Sequence, residues 1–203
     1  MIFRTENSLR LTGEVADTPV FSHETHETRF FRLPLDVMRL SCVPDHIPVL
    51  VREELLRDVS CQPGDFITLG GELRSFNNKS GVGSRLVITA FARELSAAAR
   101  DEFCNELHLC GALCKPPIYR KTPLGREICD LMLAINRRYG RADYIPCIAW
   151  GKNAHAAKAL CVSDRVMVNG RVQSREYIKT LGDTSETRTT YEVSVAELTP
   201  VSD

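Results

Sequence analysis

Apolar and polar residues alternate along most of the chain, and this pattern predicts β-strands that each bury one face. In the first half, the strand-like segments are separated by turns that contain proline, glycine or aspartate. A short segment of helical character follows the third strand. The predicted elements of this half are a strand that ends at Gly13, strands at Phe31–Val37, Ile47–Val51, Phe66–Leu73 and Arg85–Arg93, and a helix at Glu53–Val59.

The second half of the chain repeats the first at an offset of 98 residues. Asn7–Gly13 (NSLRLTG) aligns with Asn105–Gly111 (NELHLCG), and Asp45–Pro48 aligns with Asp143–Pro146. One register held over this distance predicts two copies of a single domain. The corresponding predicted elements are a strand that ends at Gly111, strands at Ile128–Ile135, Ile145–Trp150, Arg165–Val172 and Thr189–Glu197, and a helix at Asn153–Leu160.

Three strands, a helix and two further strands form the order of an OB fold, a partly open five-stranded Greek-key barrel. We therefore expect an all-β protein with short helices, built from two tandem OB-fold five-stranded barrels. Closing a barrel removes exposed sheet edges, which allows domains this small to fold. The predicted first domain spans residues 1–98 and the second spans residues 104–199.

The composition, 43% hydrophobic and 26% charged, is typical of a globular protein. No segment approaches the roughly 18 apolar residues of a membrane helix, and the first residues lack the apolar core of a signal peptide, so we expect a cytoplasmic protein. The eight cysteines are scattered and are expected to be reduced. Cys104, Cys110 and Cys114 match no common zinc spacing, and we expect neither a metal nor another cofactor.

No group of residues predicts catalysis, which requires convergent acid–base or nucleophilic groups. His23 and His26 flank Glu24 in a predicted turn, and we interpret this segment as a solvated loop. Gly81–Gly83 lacks the Lys-Ser/Thr of a phosphate-binding loop. We therefore expect a protein that is not an enzyme.

The net charge of zero does not by itself favour nucleic-acid binding, but the basic residues cluster. Lys115–Arg141 contains seven basic residues and two acidic ones, and aromatic residues lie near predicted strand ends beside this cluster. Proteins that bind single-stranded nucleic acid need such rings for base stacking and cations for phosphates. Packing of the rings in the core or at its rim is the alternative. The predicted contact residues are Tyr139, Tyr144, Trp150, Tyr177, Arg120, Arg126, Arg137, Arg138, Lys152, Arg171, Arg175 and Lys179.

The second half of the chain resembles the bacterial single-stranded DNA-binding protein family over essentially all of residues 104–199. The stretches that carry the resemblance are Thr122–Arg126 (TPLGR), Leu131–Tyr139 (LMLAINRRY), Ile148–Lys152 (IAWGK), Val168–Arg175 (VNGRVQSR) and Thr189–Val193 (TTYEV). The resemblance implies base stacking on the four aromatic residues Tyr139, Tyr144, Trp150 and Tyr177. It also implies sequence-nonspecific binding and protection of single-stranded DNA in replication, repair or recombination.

The first copy departs from the family, since it carries Ser41, His46 and Arg52 at three of the four aromatic positions. We expect the first barrel to be mainly structural and oligomeric, with weak auxiliary binding. The resemblance also implies a homodimer that brings four OB folds together. Members of the family typically end in an acidic tail that recruits repair and replication enzymes. The sequence ends in Leu198–Asp203 (LTPVSD), so we do not expect recruitment by that route.

Two other functions fit an OB fold. A primosome-type adaptor would act mainly through protein contacts, with DNA affinity secondary. An oligosaccharide-binding OB domain would use the aromatic rings but would not need the arginines. Loss of Trp150 should strongly weaken a strand-coating protein and should hardly affect an adaptor, because stacking contributes about 1–3 kcal/mol per base.

Overall fold

The computed structural model describes residues 6–78, 84–137, 140–181 and 184–201. The chain divides into two compact units. The N-terminal unit comprises Ser8–Arg74 and Thr89–Glu106, and the C-terminal unit comprises Met1–Asn7, Ser75–Ile88 and Leu107–Asp203. Residues 75–88 belong to the first sequence repeat but group with the second. The domain limits at 1–98 and 104–199 describe the repeat and stay a prediction.

The first repeat forms a closed barrel whose strands pair in the order expected of an OB fold. Strand β1 pairs antiparallel with β5 and, at its end, with β3, while β4 pairs with β3 and runs parallel to β6. A short strand, β2, extends the edge beyond β3. The elements are β1 (Glu6–Val15), β2 (Val20–Thr25), β3 (Thr28–Met38), β4 (Pro44–Arg52), α1 (Leu55–Asp58), β5 (Phe66–Asn77) and β6 (Leu86–Ala97).

The second repeat has the same pairings. Strand β7 pairs with β11 and closes the barrel on β9, β10 pairs with β9 and runs parallel to β12, and β8 extends the edge beyond β9. The prediction of an all-β protein with short helices and two OB-type barrels is confirmed. The elements are β7 (Cys104–Leu113), β8 (Ile118–Lys121), β9 (Glu127–Asn136), β10 (Ala142–Trp150), α2 (Lys152–Lys158), β11 (Arg165–Leu181) and β12 (Thr184–Pro200).

A glycine near the end of β1 and one near the end of β7 allow each barrel to close. Strand β1 leaves β5 for β3 at Glu14, and a Cβ atom on the preceding Gly13 would collide with the carbonyl oxygen of Asp36. In β7, a Cβ atom on Gly111 would lie 2.7 Å from the carbonyl oxygen of Ala134. Only a residue without a side chain permits this close backbone approach.

The core of each barrel lies on the inward face that the alternation predicted. Its largest side chains have 0–2% of their surface exposed. Burying each of them stabilises the fold by roughly 1.5–3 kcal/mol relative to leaving it exposed. In the second repeat, the inward-facing side chains of the sheet include Leu107, Leu109, Leu131, Leu133, Ile145, Val172 and Val193.

The hairpin between the second and third barrel strands is closed by the same ion pair in both repeats. The Nε and Nη2 atoms of Arg39 donate to the two carboxylate oxygens of Asp45 over 2.8 and 2.6 Å. At the offset of 98, Arg137 pairs with Asp143 in the same two-pronged way. Both carboxylates are fully buried, and a buried carboxylate requires such a partner.

Several elements differ from their predicted lengths. The helices are shorter and end earlier than predicted, and the short edge strands β2 and β8 lie where a turn was expected. Strands β11 and β12 pair along their whole length, from Val166 opposite Pro200 to Leu181 opposite Thr184. Since β7 pairs with β11 only between Arg165 and Gly170, the outer part of this hairpin is a two-stranded arm among the described pairings.

Three further features concern the chemistry available to the chain. All eight cysteines are unpaired, and burial raises the pKa of the Cys147 thiol. Within the described ranges, no three His, Cys, Asp or Glu side chains lie together as a metal site would require. No helix in the same ranges is long and apolar enough to cross a membrane.

Candidate nucleic-acid interface

The candidate site is the outward face of the second barrel, and strand β10 carries its aromatic side chains. Ile145 and Cys147 point into the core, so the period of two places Tyr144 and Trp150 on the opposite face. The side chain of Tyr144 is 46% exposed, and Trp150 is half-buried. Trp150 follows Tyr144 by six positions, which spaces the two residues about 20 Å apart along the strand.

Strand β11 adds basic side chains to this face. Val172 is buried and lies opposite Val193, which places Arg171, Arg175 and Tyr177 on the outward side. Of these, Arg175 is exposed and Arg171 and Tyr177 are half-buried. Strand β12 lies between β10 and β11, with Ser194 beside Ile148 and opposite Arg171. The register therefore brings the cations of β11 and the rings of β10 onto one surface.

A buried carboxylate holds the arginines of β11 in place. Glu192 is 9% exposed and accepts a hydrogen bond from Gln173 Nε2 over 2.9 Å. The side-chain oxygen of Gln173 in turn accepts one from Arg171 over 3.1 Å, and Arg175 Nε lies 3.6 Å from the carboxylate of Glu192. Each of the two guanidinium groups therefore has a polar partner on this face.

Tyr177 lies on the two-stranded arm directly opposite Arg188 of β12. Arg188 donates from Nε to Glu186 over 2.9 Å. The hydrogen bond to Glu186, with a smaller contribution from Tyr177, raises the pKa of Arg188. The ring of Tyr177 therefore has a permanently charged neighbour at the outer end of the face.

At the opposite edge of the sheet, Arg120 of β8 lies across from Ile128, which in turn lies across from Trp150. Its guanidinium binds both carboxylate oxygens of Asp130, over 2.7 and 3.2 Å, so its charge is offset by a neighbour. Lys152, at the start of α2, and Arg126, in the turn between β8 and β9, are both exposed.

Arg137 is placed differently from the other predicted contact residues. Its guanidinium is engaged by the buried carboxylate of Asp143, and its carbon atom lies 5.6 Å from the centre of the Phe76 ring. This geometry gives Arg137 an internal partner in place of solvent. Tyr139 and Arg138 lie outside the described residues, and so does the side chain of Lys179.

Sequence reasoning did not single out Gln173, Glu192 or Arg188 as part of this face. The missed signal is the period of two along the hairpin, which assigns every second residue of β11 and β12 to the outward side. Polar residues occupy most of these positions in the outer part of the hairpin, so hydrophobic patterning did not extend the predicted strands to Gln173 or Arg188.

The outward face of the first barrel also carries an aromatic ring between cations. The ring of Phe91 lies 5.6 Å from the guanidinium carbon of Arg74 and 4.8 Å from that of Arg93. Glu72 binds both arginines. Leu50 pairs with Phe91 as Ile148 pairs with Ser194, so Phe91 occupies the position of a serine in the second repeat.

The second repeat is similar in sequence to a known protein family. A profile of the Single-strand binding protein family matches residues 104–201. Single-stranded DNA-binding protein B of Bacillus subtilis (strain 168) is 34% identical over 80 residues, which cover 36% of this chain and 71% of that protein. The chain belongs to the single-strand binding protein family.

Other members of the single-strand binding protein family are similar over the same extent. Single-stranded DNA-binding protein 2 of Listeria innocua is 38% identical over 80 residues, covering 36% of this chain and 50% of that protein. The chain spans about half the length of several curated relatives that it matches.

The crystal structure of the wild-type single-stranded DNA binding protein from Thermus aquaticus is similar in fold. The TM-score is 0.80 at 20% identity, with 99% of this chain and 95% of that chain covered. Tandem OB folds are therefore an architecture that this chain has in common with a solved structure.

Proposed function

We propose that this chain binds single-stranded DNA without strong sequence preference and protects it during replication, repair or recombination. The observation that carries the proposal is the outward face of the second barrel. Two aromatic residues spaced about 20 Å apart along β10 share that face with the guanidinium groups of Arg171 and Arg175. Membership of the single-strand binding protein family supports the same conclusion.

The chemistry of this face suits bases and phosphates together. Every nucleobase has a flat face that can stack on an aromatic ring, so stacking tolerates any sequence. The exposed cations Arg126, Lys152 and Arg175 supply charge for phosphates. An oligosaccharide would not need these cations, and an adaptor would not need exposed rings between them. We infer a binding role without catalysis.

Trp150 is the single tryptophan of the chain, so tryptophan emission, excited selectively over the five tyrosines, reports on this face. Titration with poly-dT is expected to quench the emission, with a footprint of roughly 4–16 nucleotides per barrel. The logarithm of the affinity should fall with the logarithm of salt concentration, with a slope near −0.7 per neutralised phosphate.

Emission that stays unchanged at saturating oligonucleotide would argue against the proposal and favour the adaptor or oligosaccharide function. A random-sequence oligonucleotide of equal length is the control for sequence preference. A duplex of that sequence tests for the single-stranded form.

We further propose that the second repeat carries most of the affinity and that the first is mainly structural and oligomeric. A homodimer would place four OB folds in one particle. Sedimentation equilibrium is expected to give twice the mass of the chain, and a monomer at micromolar concentration would contradict this assembly.

A further inference from the structure

Ser75, at the end of β5, makes three hydrogen bonds to the β9–β10 hairpin within the C-terminal unit. Its backbone N–H donates to Asp143 Oδ1 over 2.6 Å, and its carbonyl oxygen accepts from Arg137 over 3.1 Å. Its hydroxyl oxygen accepts from the backbone N–H of Tyr144 over 2.7 Å. One residue of the first repeat therefore bonds to three residues of the second.

This cluster is shielded from water. Ser75 is 8% exposed and Asp143 is fully buried. The next residue of β5, Phe76, lies beneath the guanidinium of Arg137. Buried hydrogen bonds to a charged group are among the stronger ones in proteins, and a buried donor without a partner is costly.

Among the described strand pairings, the contact falls where β10 has a neighbouring strand, β9, on one side only. Strand β10 pairs with β12 only at Cys147 and Ile148, three residues beyond Tyr144. Tyr144 lies opposite Ala134 of β9. Its backbone N–H donates to the hydroxyl oxygen of Ser75. The serine fills the place that a strand would otherwise take at the start of β10.

We propose that Ser75 is a positioning residue for base stacking on Tyr144. The inference rests on the proposed function. The first repeat contributes to DNA affinity through this contact as well as through any surface of its own. By fixing the backbone of Tyr144, Ser75 holds the exposed ring in its stacking orientation and reduces the entropy lost when a base binds.

The test uses the full chain, with affinity for oligo-dT measured by fluorescence anisotropy and folding monitored by thermal melting. Ser75→Ala leaves the Tyr144 N–H without its acceptor and is expected to weaken binding roughly fivefold or more. Ser75→Thr keeps the hydroxyl and should retain the affinity. Thr89→Ala is the matched control, because it removes another buried hydroxyl whose bond goes to the Pro48 carbonyl oxygen over 2.8 Å, and it should not change binding.

A double-mutant cycle separates positioning from general destabilisation. If Ser75 acts through Tyr144, then Ser75→Ala should add little to the loss already caused by Tyr144→Ala. It should multiply the loss caused by Trp150→Ala. Unchanged binding by Ser75→Ala, or losses that multiply with Tyr144→Ala, would overturn the inference and leave the proposed function intact. Normal binding by both Tyr144→Ala and Trp150→Ala would overturn the proposed function as well.

Discussion

The aromatic side chains of the second barrel lie on different faces of the same sheet, which allows a controlled comparison. Tyr144 and Trp150 face outward on β10. Tyr119 of β8 lies opposite Cys129, a core residue, and its ring packs against α2 through His155 and Lys158. Only rings on the outward face can meet a base beside the arginines of β11.

Replacing Tyr144 with leucine should therefore weaken oligo-dT binding, whereas Tyr119→Leu should leave it unchanged. Loss of one stacking ring costs about 1–3 kcal/mol, which is about 5- to 150-fold in Kd. Fluorescence or anisotropy titrations at fixed salt measure the difference. Equal affinities of the two variants would mean that the outward face does not bind bases.

The arginines of this face show what could not be predicted at the scale of single residues. Counting cations identified Arg120, Arg137 and Arg175 alike. The structure gives Arg120 a carboxylate on a neighbouring strand, Arg137 a fully buried one and Arg175 a longer contact with Glu192. Composition does not reveal such pairs, because they depend on strand register. For Asp143 a signal did exist, since it lies two residues before Ile145 on the inward side of an alternating strand.

Whole elements were predicted wherever apolar alternation marks them. The five barrel strands of each repeat lie where the pattern indicated. Strands β2 and β8 were missed because short edge strands bury little and carry no such pattern. The outer halves of β11 and β12 were missed because both faces of a two-stranded arm are polar. Helix ends were misjudged, since neither helix has a side-chain cap.

Glu127 connects three elements of the second barrel and should make its stability depend on pH. It lies on β9, and its carboxylate is 2.5 Å from His155 Nε2 on α2. Hydrogen bonds from Tyr119 and then from His155 lower the pKa of Glu127 below its ordinary value of 4.5. The stabilisation is therefore complete above about pH 4.5 and is lost as the pH falls through the lowered pKa.

Glu127→Gln should accordingly lower the thermal midpoint above pH 4.5, and the difference should shrink in more acidic buffer. Thermal melts of the two proteins between about pH 3 and pH 7 measure this difference. Glu106→Gln, at an exposed position of β7, is the control. A difference that grows as the pH falls below 4.5 would contradict the assignment.

On the scale of the whole molecule, the two repeats have the same barrel fold but differ in the side chains of their outward faces. The second has rings on the third barrel strand, while the first has Phe91 on the fifth, between Arg74 and Arg93. At the Trp150 position, the first repeat has Arg52, whose buried Nε has no hydrogen-bond partner among the described residues. We therefore expect an auxiliary contact of the first barrel to centre on Phe91.

Phe91→Ala should shorten the binding footprint and weaken binding by about two- to fivefold, which is below the effect of a full stacking platform. The effect should be small because the guanidinium groups of Arg74 and Arg93 already lie over the ring and leave less of it for a base to stack on. Phe103→Ala removes a phenylalanine that is 64% exposed and is the control. An unchanged footprint for Phe91→Ala would leave the first repeat with a structural role alone.

The two-stranded arm of β11 and β12 has an energetic consequence. A ribbon of two strands has little intrinsic stability in water, and this one carries Tyr177 beyond the last contact of β11 with β7. A nucleic-acid strand lying along the arm would cover one of its faces and stiffen it. The free energy needed to order the arm would reduce the observed affinity. Binding of a nucleic-acid strand would in return stabilise the arm.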